Sequence, residues 1–359
     1  MRILAIEPYY GGSHQLFLDQ WIRRGRHHWQ LLTLPAHHWK WRMRHAGIWC
    51  AREVRRLLDA GAGWDLLFCS DMLDLAQFLG LADTRVSALP RVVYFHENQL
   101  TYPARFTGER DLHFAMTNLT TALAATQVWF NSEFHRRSFL EAARAWLAKM
   151  PDYVPRTELA EIQRKSQVQS PGVDVTGHRS LPTAPPLHIA WAARWEHDKN
   201  PETFFDALRL LQQQHIDFRL TVCGQDFHDA PPAFAAARQD LAAYIEHWGP
   251  LPAREEYLNR LGQADVFVST ALHEFFGLAV MEAIAMGLFP LLPRRLSYPE
   301  LLGLEHDAIA ASFFHDGSAT HLAQRLVELA RAPQLLHGPR QRELLNRSAR
   351  RYDWSRRAA

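Results

Sequence analysis

Short apolar runs recur along the chain, each closed by a polar or glycine turn and followed by a stretch of helical spacing. RILAI (2–6) ends in Gly11-Gly12-Ser13 and is followed by HQLFLDQWI, whose apolar positions fall three and four apart. Further runs stand at LLTL (31–34), DLLFCS (65–70), RVVYFHE (91–97) and TQVWFNS (126–132). The rhythm falters over 150–187, where six prolines accompany polar sequence, and this stretch is expected to be an irregular connection between domains. It resumes at LHIAWAARW (187–195), FRLTVCG (218–224), ADVFVST (264–270) and LFPLLP (288–293). Runs without strict alternation are strands buried on both faces, and strands separated by helices make parallel sheets. The expected fold is therefore α/β, with two Rossmann-like, doubly wound domains and ligands gathered at the carboxyl ends of their strands, in a cleft between the domains. The expected division is 1–182, 183–340 and a basic tail, 341–359, that packs back on the first domain.

Composition fits two domains. The chain has 359 residues, 47% hydrophobic, enough for two cores. Its net charge is only +2, yet residues 1–60 hold ten Lys/Arg against four acids and residues 331–359 hold eight Arg against two. Basic ends suit phosphate-rich partners, although a solvated face reads the same way. Cys50, Cys69 and Cys223 have no metal-ligand spacing, which speaks against structural zinc and for a reducing compartment. The first apolar run is short for a signal peptide and no later run reaches membrane-spanning length, so a cytoplasmic protein is expected.

Candidate chemistry clusters beyond the strand ends. In HEFFGLAVME (273–282), Glu274 is expected on the loop after ADVFVST, Gly277 at the turn, and Glu282 within the following helix. The backbone N–H groups from Phe276 through Leu278 to Ala279 would then form a helix start suited to a diphosphate, and the acids would accept sugar and ribose hydroxyls. Two unrelated surface acids would give the same spacing. RWEHDKNPETFF (194–205) sets Arg194 and Lys199 beyond another strand, where two cations can neutralise a leaving diphosphate; an ordinary surface turn is the alternative. The choice of lysine is notable, because only four of the forty basic residues are lysines. YFHENQLTYP (94–103) places His96, Glu97 and Asn98 at a strand end in the first domain, where a histidine can bond a hydroxyl or serve in its structural, core role. Gly11-Gly12-Ser13-His14 is not a full dinucleotide fingerprint and lacks the following acid, which argues against a dehydrogenase. LPAHHWKWRMRH (34–45) interleaves Trp39 and Trp41 with Lys40, Arg42 and Arg44, a pattern suited to stacked RNA bases or to an amphipathic segment on the core.

Glu274 and Glu282 match the E-x7-E motif of retaining glycosyltransferases of the GT-B fold, such as glycosyltransferase family 4. The blocks EPYYGGSH, LPAHHWKWRMRH, YFHENQLTYP, RWEHDKNPETFF, HWGPLP and HEFFG resemble, more closely, the glycosyltransferase-like family that includes tRNA-queuosine α-mannosyltransferase. That resemblance implies GDP-mannose as donor and queuosine in the tRNA anticodon loop as acceptor. It assigns Glu274 to the donor sugar, Glu282 to the ribose, and Arg194 and Lys199 to the diphosphate. His96 would approach the sugar. Gly12, Gly249, Leu251, Phe276, Gly277 and Leu278 would line the donor, and Ser13, His14, Trp39, Trp41, Arg42, Glu97 and Asn98 the acceptor. No metal or other cofactor is expected, since cationic side chains take that role, and no obligate protein partner is readable. Phe275 stands where the common pattern has Gly. The alternatives are a related transferase using another sugar nucleotide on a lipid, polysaccharide or small molecule, and a non-catalytic RNA-binding protein on the same fold.

Overall fold

The computed structural model describes residues 1–102, 111–175, 185–225 and 230–357. It contains two six-stranded sheets whose strand pairs all run parallel. The first sheet comprises β1 (Arg2–Tyr10), β2 (His28–Pro35), β3 (Leu66–Ser70), β4 (Arg91–Phe95), β5 (Gln127–Phe130) and β6 (Ser166–Val168), in the order β2-β1-β3-β4-β5-β6. The second comprises β7 (Leu187–Ala192), β8 (Phe218–Cys223), β9 (Ile245–Gly249), β10 (Val266–Val268), β11 (Phe289–Pro293) and β12 (Phe314–His315), in the order β12-β11-β10-β7-β8-β9. In each sheet the order reverses beside the first strand, and at such a switch point the loops beyond the strand ends diverge and leave room for a ligand.

Alternation explains why the central strands read as unbroken apolar runs. Leu4, Ile6, Leu67, Cys69, Val93, Phe95, Val128 and Phe130 face one core of the first unit. Ile3, Ala5, Phe68, Val92 and Tyr94 face another, closed by Phe17 and Leu18 of the helix Gly12–Arg24 and by Trp354. Both faces are covered, so neither parity can be polar. The second unit has one large core around Ile189, Trp191, Leu220, Val266 and Leu291.

Three strands escape the apolar pattern because they lie at or near sheet edges. β6, β9 and β12 are short or carry polar residues, and β6 falls within the stretch expected to be irregular. That stretch instead begins with the helix Arg156–Lys165, whose Leu159 and Ile162 are buried, and then supplies β6. Pro151, Pro155 and Pro171 stand in the loops around these elements. The expected boundary at 182/183 lies outside the described residues. The compact units are Met1–Gly172 with Trp354–Ala359, and Val173–Asp353. Most of the basic tail thus belongs to the second unit: the helix Pro339–Arg351 buries Leu344 and Leu345 in its core, and only the segment from Trp354 joins the first. Among the described residues, no helix is long and apolar enough to cross a membrane.

Gly172 makes the seating of Trp354 possible, since a Cβ there would lie 2.3 Å from the indole ring. Gly172→Ala is expected to cost about 1–3 kcal/mol, as overpacking does, and to lower the melting midpoint by roughly 5 °C; an unchanged midpoint would show that Trp354 is not held there.

Candidate active site

In the second unit, two loops at the carboxyl ends of β7 and β10 are tied together through Lys199. Its side chain is 11% exposed, and Nζ donates to the carbonyl of His273 at 2.9 Å while lying 3.1 Å from Asp198 Oδ2 and 3.5 Å from Glu274 Oε2. Burial alone would lower the lysine pKa, but Glu274 and Asp198 outweigh it and the net direction is upward, so the ammonium stays charged. The backbones are also stitched: Thr270 Oγ1 donates to the Lys199 carbonyl at 2.8 Å, and Leu272 N to the Asp198 carbonyl at 2.7 Å. Arg194 is half-exposed and pairs with Glu196 at 3.2 Å, which leaves its guanidinium at the surface of the same loop.

Gly277 caps the helix Leu278–Ala285 with φ 97°, a left-handed conformation that other residues adopt at a cost. A Cβ there would meet the Tyr298 ring at 3.0 Å, so close packing also demands glycine. Between Lys199, Glu274, Gly277 and Tyr298 lies a cavity of only about 30 Å³. That is room for a water or two, so any sugar phosphate must lie above it rather than within it. Phe275 and Phe276 are both buried, Phe275 with its ring edge-on to His273 and Phe276 against Tyr352. The expected donor contact of Phe276 can therefore come only from its backbone, because the side chain belongs to the core. Glu282 is 5% exposed and meets Arg254 Nη1 at 2.7 Å. Burial raises its pKa, and Arg254 and Tyr257 oppose that rise. Gly249, at the end of β9, has φ 119°, and Leu251 two residues on packs partly on the core.

In the first unit, the strand-end residues form a second polar centre. β1 runs past the expected RILAI to Tyr10 and brings Glu7 into the interior, 3% exposed. Gly12, with φ 53°, opens the helix that carries exposed Ser13 and buried His14. His14 Nδ1 lies 3.2 Å from Glu7 Oε2, and the other Glu7 oxygen accepts from Ser70 Oγ and Tyr9 N, both at 2.9 Å. The His14 and His96 rings stack at 3.9 Å. Burial would push the His14 pKa down, but the Glu7 carboxylate holds it up at about 9. His96 goes the other way, well below the usual histidine range, because it is buried beside charged His14 and also near His135. The pair is thus one imidazolium against one neutral imidazole. His96 is fixed by its backbone N, which donates to Asp71 Oδ1 at 2.8 Å, and by its carbonyl, which accepts from Asn131 Nδ2 at 2.9 Å.

Glu7, Asp71, Asp198 and Arg254 were not singled out from sequence, although Asp71 and Asp198 follow strands by the same rule that found His96 and Lys199. Asp71 is 1% exposed, burial drives its pKa well up, and its Oδ2 has no hydrogen-bond partner among the described residues. Glu7, His14 and His96 each offer one ligand atom within 4.8 Å of the others, the one such metal-compatible group among the described residues.

The expected acceptor residues divide. Asn98 is fully buried, and its Oδ1 accepts from Leu100 N, Thr101 N and Thr101 Oγ1; it anchors its own turn and is not a surface for an acceptor. Glu97 is half-buried and accepts from Gln99 Nε2 at 3.3 Å. On the helix Trp39–Asp59, Trp39 packs on Phe114 and carries Lys40 over its ring, whereas Trp41 is 60% exposed and stacked on His45 at 4.8 Å. Arg42 is half-buried, with Nε donating to the Pro35 carbonyl.

Two parallel-sheet units, with cations, acids and a glycine-opened helix beyond the strands of the second, define a glycosyltransferase of the GT-B class. Solved structures match over the whole chain: sucrose-phosphate synthase from Thermosynechococcus elongatus (TM-score 0.73, 14% identity, 100% of this chain and 96% of that one) and Anabaena HepE in complex with UDP (TM-score 0.70, 15% identity, 100% and 97%). Residues 2–173 match the model of the tRNA-queuosine alpha-mannosyltransferase N-terminal domain, and residues 182–350 that of glycosyl transferases group 1. A Drosophila melanogaster tRNA-queuosine alpha-mannosyltransferase is 34% identical, covering 94% of this chain and 89% of that protein. A GDP-mannose:cellobiosyl-diphosphopolyprenol alpha-mannosyltransferase of Xanthomonas oryzae is 27% identical over 50% of this chain and 47% of its own length. The chain belongs to the tRNA-queuosine alpha-mannosyltransferase family.

The His14–Glu7 pair makes stability pH-dependent. Between the unfolded histidine value of 6.5 and about 9 the folded chain holds a proton that the unfolded chain has lost, so stability falls as pH rises through this window. The loss is about 3 kcal/mol at most. Urea midpoints from pH 6.5 to 9.5 should fall more steeply for the native chain than for His14→Gln; equal slopes would remove the pair as the cause.

Proposed function

We propose that this chain transfers mannose from GDP-mannose to a hydroxyl of queuosine in the tRNA anticodon loop, with retention at the anomeric carbon. The observation that carries the donor half is the buried Lys199 ammonium beside Glu274 at a glycine-opened helix start. The full-length likeness to a tRNA-queuosine alpha-mannosyltransferase supports the choice of sugar and acceptor.

In this reading Glu274 accepts sugar hydroxyls, Glu282 with Arg254 receives the ribose, and the base lies against the backbone near Gly249 and Leu251. Lys199, Arg194 and the N–H groups after Gly277 take the diphosphate. The bond from the anomeric carbon to the diphosphate oxygen breaks, and its electron pair leaves with GDP. The acceptor oxygen bonds to the same face of that carbon, and its proton passes to a departing phosphate oxygen. Positive groups already in place lower the barrier, because they need not reorganise as charge grows. Neutral His96 can bond a sugar hydroxyl without repelling the positive charge that develops at the anomeric carbon. No metal enters this scheme; the cations named here carry the diphosphate charge, and activity should survive EDTA.

The test is incubation with labelled GDP-mannose and UDP-sugars, using tRNA that contains or lacks queuosine. Label is expected only from GDP-mannose into queuosine-containing tRNA. Label from UDP-sugars, or equal label in unmodified tRNA, overturns the substrate assignment, and binding of tRNA without any transfer leaves a non-catalytic binder. Lys199→Ala should lower kcat by about two orders of magnitude, and ordinary turnover would remove Lys199 from the diphosphate site.

A further inference from the structure

Across Phe17 from the histidine centre, the first unit holds a cavity of about 400 Å³, within the size range of ligand pockets. Phe17 and Trp21 of the helix Gly12–Arg24, Trp129 of β5 and Trp354 of the C-terminal segment line it together with Arg26 and Arg357. No acidic residue lines it among the described residues. The aromatic rings lie near one another: Phe17 and Trp21 at 5.7 Å, Trp21 and Trp129 at 5.7 Å, Phe17 and Trp354 at 6.1 Å. Arg24 lies over the Trp354 ring at 5.8 Å. Two of the most basic stretches of the chain, RRGRHH (23–28) and WSRR (354–357), are thus brought to one aromatic cavity although more than three hundred residues separate them.

We infer that this cavity binds one nucleotide of single-stranded RNA, with the base against the indole faces and its phosphate at Arg26 and Arg357. Three kinds of ligand chemistry compete for such a cavity, and its composition decides among them. A sugar without phosphate calls for carboxylates that take paired hydroxyls, and no acid is in the wall, where Gln169 and Ser170 are the neutral polar groups beside two arginines and His27. An acyl chain needs no arginines. An anion with a flat aromatic body matches both parts, since bases stack on indole rings and each phosphate contact adds salt-dependent attraction. RNA rather than a free nucleotide fits the exposed Arg26 and His27 of the wall and the exposed Arg23, His28 and Arg356 that stand within three residues of lining residues along the chain, since such a basic run can follow a backbone beyond a single phosphate. Phe17 separates this cavity from the histidine centre: its ring meets Trp354 on one side and lies edge-on to His96, at 5.3 Å, on the other. A bound base is thereby held one aromatic ring away from the histidine assigned to the sugar.

The inference rests on the reading that the acceptor is tRNA, but it is tested without donor. The intact chain is titrated into a fluorescein-labelled tRNA transcript lacking queuosine, at several salt concentrations. Arg26→Glu, an exposed position, is expected to weaken binding about ten-fold and to reduce the salt slope by about one; Arg26→Lys should restore most of it. Trp129→Leu should weaken binding without changing the salt slope, while transfer of mannose to free queuosine nucleoside stays within about two-fold for all three variants. Unchanged tRNA affinity in Arg26→Glu would overturn the inference. So would saturation of the cavity by millimolar GMP, read as tryptophan quenching, that the tRNA transcript does not displace. If the native chain transfers no mannose, the reaction assignment fails, and the binding result still decides the cavity.

Discussion

The loop architecture of the second unit depends on a buried ammonium. Lys199 holds the loop after β7 against the loop after β10 through one carbonyl and two carboxylates, at distances between 2.9 and 3.5 Å. Removing the charge would leave the buried Asp198 carboxylate without its cation, a larger penalty than the net gain from the contacts themselves. This is how two long strand-end loops, 193–200 and 269–277, are fixed to one another. Thr270 and Leu272 bond to backbone that the lysine already positions, and Gly277 then starts the helix at the only geometry that clears Tyr298.

The same charge logic governs the first unit with histidines in place of lysine. Glu7 keeps His14 protonated, and His14 together with burial keeps its stacked neighbour His96 neutral. Neither state follows from a histidine's ordinary pKa. Each comes from where the strand ends place an acid, so the extension of β1 beyond RILAI to Glu7 and Tyr10 is what sets the chemistry of His96.

What the sequence discloses follows from which physical signals are local. Central parallel strands are buried on both faces, so β1, β3, β4, β7, β8 and β11 announce themselves as apolar runs. Edge strands such as β6 and β9 meet that condition on one side only and keep polar residues, which is why a proline-rich stretch could hide a helix and a strand. Cations and acids beyond strands are legible as candidates, because the rule about strand ends needs only position. Burial is not legible. Asn98 looks like a surface amide and is wholly enclosed, Phe276 lies in a donor motif and packs on Tyr352, and Glu7 and Asp71 resemble ordinary acids until neighbouring strands enclose them. The partner that Arg254 provides for Glu282 joins residues on different helices, so spacing within HEFFGLAVME could not reveal it.

That partner changes what the two acids of the motif mean. Before a donor arrives, each already faces a cation: Glu274 faces Lys199, which it shares with Asp198, and Glu282 faces Arg254. Two carboxylates against one ammonium leave the first cluster poor in positive charge, so Lys199 alone cannot draw in a diphosphate. In the proposed donor site the initial attraction would come from half-exposed Arg194 and from the helix start at Gly277. A sugar nucleotide brings its own compensation, because sugar hydroxyls can replace the ammonium at Glu274 while phosphate replaces the carboxylate at Lys199. A nucleoside diphosphate without the sugar supplies only the second exchange and leaves Glu274 without a donor of hydrogen bonds. In the proposed donor site, the spacing of Glu274 from Lys199 would therefore favour intact sugar nucleotide over free diphosphate, a discrimination that arises from which charges are left unpaired rather than from the number of contacts made.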